Sequence, residues 1–312
     1  MVADSLPAAI FLMGPTASGK TELAVQLAQK LETEIISVDS ALVYKGMDIG
    51  TAKPTLEERQ GIVHHLIDIL DPAEAFSTGH FRKSALQLMH DISSRGKTPV
   101  LVGGTMLYFN VLYNGLASLP AANADIREQL VEELAANGKE AMHARLKGID
   151  PESAQRIHPN DPQRVQRALE VYALTGKPIT EFFREAQQNQ IPFKKIKLII
   201  APEDRVQLHQ KIALRFKLMV EQGLIEEVKA LYQRSDLTEA LPAIRAVGYR
   251  QAWAYLDGEY DLDTMIEKGI IATRQLAKRQ FTWLRREQDA LRFISSETNL
   301  SDKVYQSIKN NL

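Results

Sequence analysis

The chain has 312 residues, of which 45% are hydrophobic and 25% charged, and its formal net charge is −1 at pH 7. This composition is typical of a globular protein with one large domain or two smaller ones, and the net charge argues against a protein that coats nucleic acid nonspecifically. The absence of cysteine excludes disulfides, thiolate catalysis and cysteine-ligated zinc. No apolar run approaches the roughly 20 residues that cross a bilayer, and the first residues lack a basic signal-peptide start, so we expect a cytoplasmic location.

Strands and helices alternate in roughly the first 120 residues of the chain. Apolar runs of strand length are followed by stretches in which apolar residues recur every three or four positions. The pattern predicts strands at Ala8–Met13, Glu34–Val38 and Pro99–Val102, and helices at Thr21–Leu31 and Phe81–Ser94. Short apolar strands separated by helices favour a parallel α/β sheet, whose ligands bind at the carboxyl ends of the strands.

The middle of the chain, residues 119–192, has a different pattern. Polar helical stretches alternate there with breaks such as Asp150-Pro151, and no strand stands out. We interpret this segment as an all-helical insertion domain between the two halves of a core, residues 1–118 and 193–312. The core resumes with a strand at Lys195–Ala201, helices over Arg205–Arg234 (interrupted near Gly223) and Arg250–Arg286, and a strand at Ala290–Ser295. We assign no element to the polar tail from Ser296 onwards.

A glycine-rich loop joins the first strand to the first helix. Its sequence, GPTASGKT, matches the pattern G-x-x-x-x-G-K-[ST]. In such a loop the glycines let backbone N–H groups turn inward, the helix start adds partial positive charge, and the lysine adds a full charge. The expected diphosphate-binding residues are Gly14, Thr16, Ala17, Ser18, Gly19, Lys20 and Thr21, with the Thr21 hydroxyl as a ligand of Mg²⁺. The predicted fold class is therefore α/β, a P-loop NTPase-like parallel sheet core flanked by helices.

The carboxylate that a phosphoryl-transfer enzyme needs does not follow the strand Pro99–Val102, which ends in Gly-Gly-Thr. The nearest candidate is Asp39, which closes the strand Glu34–Val38 and would face the phosphate loop from a neighbouring strand end. A structural alternative stays open, because Asp39 or Ser40 could instead cap a turn by accepting from backbone donors.

Five sequence blocks together resemble one family. They are GPTASGKT, VDSALVYKGMDIGTAKP, LVGGTMLYF, HPNDPQRVQRALEV and IRAVGYRQ, and they occur in the same order over almost the whole chain. The chain resembles the bacterial tRNA dimethylallyltransferases. The resemblance implies transfer of a dimethylallyl group from dimethylallyl diphosphate to the N6 amine of the adenosine on the 3′ side of the anticodon, in tRNAs that read codons beginning with U.

The resemblance also implies roles for individual residues. Asp39 matches the base that takes a proton from the adenine amine. Thr105 matches a residue that contacts the substrate near the reacting centre, although it could equally cap the following helix. Arg215 matches an arginine near the diphosphate, and a solvated arginine is the alternative.

A base in the anticodon loop is stacked, so its amine reaches a buried site only if the nucleotide is extruded. The resemblance implies tRNA contacts by Asp39, Ser40, Ala41, Leu42, Thr105, Arg127, Gln163, Arg164, Val165, Gln166, Arg167, Ile244, Arg245, Ala246, Val247, Gly248 and Tyr249. Helical spacing places Arg164 and Arg167 on one face, with Val165 facing the other way.

The last basic stretch offers further candidates. Arg274, Lys278 and Arg285 recur at helical spacing and could contact RNA, or form a solvated face. We expect Trp283 to belong to the core. The adjacent His64 and His65 receive no metal or catalytic role, because neighbouring residues of a strand point to opposite faces.

The predicted partners are a tRNA anticodon stem-loop and dimethylallyl diphosphate, with Mg²⁺ as the cofactor, no membrane and a monomeric chain. Two other functions remain possible from the residues alone. The first is a small-molecule or nucleotide kinase on the same phosphate loop, with Asp39 as its carboxylate. The second is a nucleotide-gated RNA-binding module.

Overall fold

The computed structural model describes residues 6–187 and 191–312 of the chain. The chain divides into two units, one formed by residues up to Phe109 together with Pro192–Leu312, and the other by Asn110–Ile191. The second unit thus begins before the residue 119 that the sequence suggested. None of the helices in the described ranges is long and apolar enough to span a membrane.

The first unit contains a parallel sheet, as the sequence predicted, with six strands where the sequence analysis named five; the short strand His64–His65 is the addition. Every pair of neighbouring strands runs parallel, and the strand order is β3-β2-β4-β1-β5-β6. The strands are β1 Ala8–Met13, β2 Ile35–Val38, β3 His64–His65, β4 Val100–Gly103, β5 Lys194–Ala201 and β6 Leu291–Ile294. Because β1, β2 and β4 end at the same edge, the phosphate loop, Asp39 and the Gly-Gly-Thr segment meet there.

Helices connect the strands and cover the sheet. Those of the first half are α1 Lys20–Lys30, α2 Leu56–Arg59, α3 Thr78–Ser94 and α4 Met106–Asn114; the second unit holds α5 Ala124–Ile149, α6 Pro151–Arg156, α7 Pro162–Thr175 and α8 Ile179–Gln187; the rest are α9 Arg205–Glu221, α10 Leu224–Tyr232, α11 Tyr249–Leu256, α12 Leu262–Leu284 and α13 Leu300–Lys309. The predicted interruption at Gly223 is confirmed, because this residue has φ +104° and separates α9 from α10.

The central strand β1 is buried on both faces. Ile10 and Leu12 pack into a cluster that includes Leu27 of α1 and Ile308 of α13, whereas Phe11 meets the ring of Phe109 edge to face at 6.3 Å. A continuously apolar strand is the sequence signature of such two-sided burial. Helix α13 was not predicted, and its burial of Val304 and Ile308 against this cluster explains why the polar tail is helical.

The second unit is helical over its described residues, and it has its own core. Leu146 of α5 and Val165 and Leu169 of α7 belong to one buried cluster. The Asp150-Pro151 break has a structural cause: the Asp150 carboxylate caps α6 by accepting from Ser153 N at 2.9 Å, and it also accepts from Thr180 N at 3.0 Å near the start of α8. One buried carboxylate therefore fixes the starts of two helices.

A charged cluster lies at the amino-terminal edge of the sheet, away from the phosphate loop. Glu34, which precedes β2, is bound by the guanidinium of Arg95, and its Oε2 lies 2.7 Å from His65 Nε2. The hydrogen bonds from Arg95 hold the pKa of the Glu34 carboxyl down at about 2, and His65 adds to this effect. His65 thus has a structural partner, while His64 Nδ1 lies 2.9 Å from the carbonyl oxygen of Ile62.

We expect Glu34→Gln to flatten the acid dependence of stability. Since the folded-state pKa of Glu34 is lowered, its contribution to the free energy of unfolding is complete above the unfolded pKa of about 4.3 and is lost as the pH falls towards 2. Urea unfolding between pH 2 and 7 should show the variant about 1–3 kcal/mol less stable at pH 7, with the difference shrinking towards pH 2. A difference that does not depend on pH would contradict this assignment.

Candidate active site

The phosphate loop takes its shape from two glycines. A Cβ on Gly14 would lie 2.2 Å from the carbonyl oxygen of Ile200 on β5, so only glycine fits there. Gly19 has φ +80° and caps α1 without a side chain, and Ala17 is also left-handed at φ +61°. Left-handed residues within a loop before a helix are typical of backbone nests that bind anions. The local structure therefore matches the predicted diphosphate cradle.

A cavity of about 590 Å³ opens beside this loop at the carboxyl edge of the sheet. Every wall comes from the first unit. The polar part of the wall is Thr16–Thr21, Ser37, Asp39, Ser40, Thr105, Arg215, Arg245, Arg279 and Gln280, and the apolar part includes Ile67, Ile212, Phe216, Met219, Leu276 and Trp283. A pocket lined by both charged and apolar side chains suits a molecule that carries phosphates on a hydrocarbon group.

Lys20 supplies a cation to the polar part of the cavity wall. Its ammonium donates to the carbonyl oxygen of Pro15 at 2.6 Å and to Ser18 Oγ at 3.4 Å. Burial and, to a smaller extent, the charge of Arg215 lower the pKa of Lys20 to about 7, although the carboxylate of Asp39 opposes both. In the absence of a bound anion, the Lys20 side chain is therefore partly deprotonated near pH 7.

Arg215, on α9, points into the same cavity. Its Nη2 donates to Thr16 Oγ1 at 2.5 Å, which joins α9 to the phosphate loop. Burial lowers the pKa of the Arg215 guanidinium, and Asp39 partly offsets this. The solvated alternative for Arg215 is wrong, because the side chain is held against the loop that the sequence assigned to diphosphate.

Asp39 follows β2 and combines the two readings that the sequence left open. Its Oδ1 accepts from the backbone N–H groups of Ala41 at 2.8 Å and Leu42 at 3.4 Å, so it does cap a turn. Its Oδ2 accepts no hydrogen bond from the described residues. Burial raises the pKa of Asp39, while the two backbone donors and the charges of Lys20 and Arg215 oppose the rise. A carboxylate fixed through one oxygen, with the other free in a cavity, can accept a proton.

Thr105 lies beside Asp39 across the strand ends. Its Oγ1 accepts from Ser40 N at 3.1 Å and lies 3.5 Å from Ser40 Oγ, while its own N–H donates to the carbonyl oxygen of Val38. The hydroxyl thus serves the Asp39–Leu42 turn instead of capping α4. The segment after β4 and the segment after β2 therefore form one wall of the cavity.

Helix α12 contributes residues that the sequence analysis missed. Arg279, Gln280 and Trp283 line the cavity, and they lie on the helix face opposite to Arg274, Lys278 and Arg285. Trp283 is therefore a wall residue and not a core residue as expected. The recurrence of Thr273, Leu276, Gln280 and Trp283 at intervals of three and four was a signal for this face, but nothing in the sequence separates it from an ordinary packing face.

The segment Ile244–Tyr249 divides into wall and packing residues. Arg245, Ala246 and Val247 line the cavity, whereas Ile244 and Tyr249 are fully buried. The Tyr249 ring covers Gly50, where a Cβ would lie 2.5 Å from Tyr249 Cε2, and its hydroxyl donates to Glu227.

Glu227, on α10, anchors the loop that precedes Gly50. Its carboxylate accepts from the backbone N–H groups of Asp48, Ile49 and Gly50, at 2.8, 2.8 and 3.1 Å. The loop at Gly50 and the motif at Tyr249 are thus fixed through one carboxylate.

In the second unit, the predicted RNA-contacting arginines share a buried partner. Arg127 Nε donates to Glu170 Oε1 at 3.0 Å and Arg167 Nη1 donates to Glu170 Oε2 at 2.7 Å, while Arg167 Nη2 also donates to the carbonyl oxygen of Pro120. The hydrogen bonds to these donors hold the pKa of Glu170 below its ordinary value despite burial. Both guanidinium groups are therefore positioned by the fold.

The neighbouring positions of α7 follow the predicted faces. Val165 is buried in the core of this unit, whereas Gln163 and Arg164 are exposed, with Arg164 at 3.4 Å from Asp161. Gln166 Nε2 donates to the carbonyl oxygen of Arg127. Contact of these residues, and of the α12 arginines and lysine, with RNA stays a prediction.

The residues near the phosphate loop fit a magnesium ion. Thr21, at the start of α1, is exposed, and the buried hydroxyl of Ser37, a residue of the cavity wall, has no hydrogen-bond partner within residues 6–187 and 191–312. Magnesium prefers oxygen ligands and takes few of them from protein when a substrate phosphate supplies the others. No cluster of three acidic or histidine ligands occurs among residues 6–187 and 191–312, so the fit depends on such a shared coordination.

The chain is similar to known proteins over nearly its whole length. Residues 42–287 match the model of a family described as IPP transferase. The tRNA dimethylallyltransferase of Methylococcus capsulatus is 55% identical over 309 residues, covering 99% of each chain, and that of Thioalkalivibrio sulfidiphilus is 61% identical over 279 residues, covering 89% of this chain and 87% of the relative.

Two solved structures have similar folds. The tRNA isopentenylpyrophosphate transferase of Bacillus halodurans has a TM-score of 0.71 and 39% identity, covering 97% of this chain and 94% of its own. A eukaryotic dimethylallyltransferase acting on tRNA has a TM-score of 0.80 and 30% identity, covering 98% of this chain and 80% of its own.

We expect inorganic diphosphate to bind with proton uptake at Lys20. In the protein without ligand, Lys20 has a pKa of about 7, and a bound anion raises this pKa. At pH 8 the wild-type protein should therefore take up close to one proton more on binding than the Lys20→Arg variant, whose side chain stays charged. Titration calorimetry in two buffers of different ionisation enthalpy measures this difference. Because both proteins bind the same ligand, any protons exchanged by the diphosphate itself cancel in the comparison. Equal uptake by the two proteins would show that Lys20 is already charged in the free site.

Proposed function

The chain belongs to the IPP transferase family and is a tRNA dimethylallyltransferase, and we propose that it moves a dimethylallyl group from dimethylallyl diphosphate to N6 of the adenosine 3′ to the anticodon in tRNAs that read UNN codons. One observation carries this proposal: the carboxylate of Asp39 and the cationic side chains of Lys20 and Arg215 line one cavity whose wall also has apolar residues. The kinase alternative loses support, because the relatives are prenyl transferases and β4 ends without a carboxylate.

The reaction breaks one bond and forms another. The bond between the allylic carbon and the diphosphate oxygen breaks, and its electron pair leaves with the diphosphate. The N6 lone pair of adenine bonds to that carbon, and an N6 proton passes to the free Oδ2 of Asp39. The developing charge on the diphosphate is stabilised by the phosphate-loop N–H groups, Lys20 and Arg215, which are already in place before the reaction.

Magnesium would be held by Thr21, with the Ser37 hydroxyl nearby, and would supply additional positive charge to the leaving diphosphate. The apolar part of the cavity wall, which includes Phe216 and Met219, suits a five-carbon hydrocarbon group and would exclude water from the reacting carbon once that group is bound. The weakly nucleophilic adenine amine therefore meets no competing water there.

The proposed acceptor needs an extruded adenosine, because a stacked base cannot place its amine in a cavity. The exposed Arg245 and Arg279 at the cavity wall suit contacts to phosphates of the RNA. We also propose that the enzyme works as a monomer in the cytoplasm.

A reaction with labelled donor tests the proposal directly. The protein is incubated with labelled dimethylallyl diphosphate, Mg²⁺ and an unmodified anticodon stem-loop, and in parallel with ATP. Label on the adenosine 3′ to the anticodon supports the transferase, and a stem-loop with guanosine at that position is the matched control. Hydrolysis or transfer of the ATP γ-phosphate without labelled RNA would support the kinase instead. RNA binding without either reaction would support the binding module.

We expect Asp39→Asn to lower the rate of transfer about 10²–10⁴-fold with little change in RNA affinity. The asparagine oxygen can still accept from Ala41 N, so the turn should keep its structure while the base is lost. Because the pKa of Asp39 is raised, the wild-type rate should also fall at acidic pH as this carboxyl becomes protonated. The variant should lack this acid limb of the pH–rate profile. Single-turnover rates from pH 5 to 9 measure both effects, and an unchanged acid limb in the variant would refute the assignment.

We expect Arg164→Ala to weaken RNA binding and to reduce the slope of log affinity against log salt by about 0.7. Arg164 is the better test than Arg167, whose loss would also remove a partner from the buried Glu170. Arg184→Ala is the matched control, since Arg184 is as exposed as Arg164 and pairs with Glu152 at the surface. Equal slopes in the two variants would contradict the predicted contact between Arg164 of α7 and the RNA.

A further inference from the structure

Gln280 of α12 is a buried polar side chain that the reaction described above does not use. Only 7% of its surface is exposed, and both ends of its amide are hydrogen-bonded. Its Oε1 accepts from Thr16 N at 2.9 Å, and its Nε2 donates to the carbonyl oxygen of Gly104 at 3.0 Å. Thr16 belongs to the phosphate loop and Gly104 to the segment after β4, so one amide joins two loops that are far apart in sequence.

The two partners fix the orientation of this amide. A backbone N–H can only donate and a backbone carbonyl can only accept, so the side chain must present an acceptor to Thr16 and a donor to Gly104. The fit at Gly104 is close, because a Cβ there would lie 2.4 Å from Gln280 Nε2. Neither a carboxylate nor an apolar side chain of the same length can both accept from Thr16 N and donate to the carbonyl oxygen of Gly104.

The loops that Gln280 joins belong to opposite sides of the proposed reaction. Thr16 is also held by Arg215, which places it on the diphosphate side. Gly104 precedes Thr105, whose hydroxyl holds Ser40 next to Asp39, and this places it on the acceptor side. The Thr16 N–H is occupied by Gln280, so it is not one of the donors available to a phosphate.

We propose that Gln280 is a positioning residue that sets the separation between the diphosphate side and the acceptor side of the cavity, and transmits the occupancy of one to the other. The proposal rests on the proposed transferase function for its kinetic consequence, but not for the coupling itself. Misplacement of reacting groups by about 1 Å can lower a rate 10²-fold, so a fixed separation has direct value for transfer.

The first test needs no transfer activity. Hydrogen exchange of the segment Val102–Leu107 is compared with and without inorganic diphosphate and Mg²⁺, in the wild-type protein, Gln280→Met and Gln275→Met. Gln275 is exposed on the same helix and does not line the cavity, so it is the matched control. We expect diphosphate to slow exchange of this segment in the wild type and the control, and to leave it unchanged in Gln280→Met. Equal slowing in all three, or no slowing in the wild type, would overturn the coupling.

The second test is kinetic. We expect Gln280→Met to lower kcat about 10–100-fold while the KM for the donor changes less than about 3-fold, since the diphosphate contacts remain and only their alignment with the acceptor is lost. An increase in KM alone would make Gln280 a binding residue and overturn the positioning role. If the wild type binds diphosphate but transfers nothing, the transferase function fails, and the exchange experiment still decides the coupling.

Gln280→Glu covers the case in which the methionine variant does not fold. Its ionised carboxylate can accept from Thr16 N but cannot donate to Gly104, whereas its protonated form can do both. The ratio of its kcat to that of the wild type should therefore rise as the pH is lowered, with thermal unfolding measured at each pH to confirm a folded protein. A ratio that stays constant or falls would contradict the proposal.

Discussion

The site depends on the placement of two cations and one carboxylate in one cavity, where burial desolvates all three groups. Lys20 and Arg215 repel each other there, and the pKa of each is lowered by burial. Asp39 offsets part of that repulsion, and its own charge is in turn made less costly by the two cations and by the N–H groups of Ala41 and Leu42. A bound diphosphate would supply the negative charge that keeps both Lys20 and Arg215 protonated, and the two cations would then stabilise the leaving group more strongly as negative charge develops on it.

Part of this arrangement follows from local sequence. The strand, loop and helix around GPTASGKT could be predicted because each depends on neighbouring residues: a continuous apolar run, glycines that permit left-handed backbone, and apolar residues at helical spacing. The position of Asp39 followed from topology, since parallel strands bring their carboxyl ends to one edge. The second half of the core was predicted from the same periodicities, including the interruption at Gly223.

The remaining features depend on contacts between distant segments. Gln280 is one polar residue in a polar stretch, and its burial between Thr16 and Gly104 is decided by the packing of α12 beside the sheet. For the same reason, the spacing of the basic residues in α12 pointed to the face of Arg274, Lys278 and Arg285, whereas the opposite face lines the cavity. Helix α13 was missed because only Val304 and Ile308 are fully buried on it, and the cluster that buries them comes from segments far away in the sequence, residues 10–35, 100 and 196–200.

The contact between Gly50 and Tyr249 links two motifs that lie almost 200 residues apart. The ring occupies the space that any side chain at position 50 would need, and Glu227 holds the backbone on one side and the hydroxyl on the other. A side chain at position 50 would clash with the ring, and a smaller residue at position 249 would leave a cavity and remove one of the hydrogen bonds to Glu227. Across related sequences, replacement of the glycine should therefore be found together with a smaller residue in place of the tyrosine, and an alignment of the family would carry this pair as a correlated change.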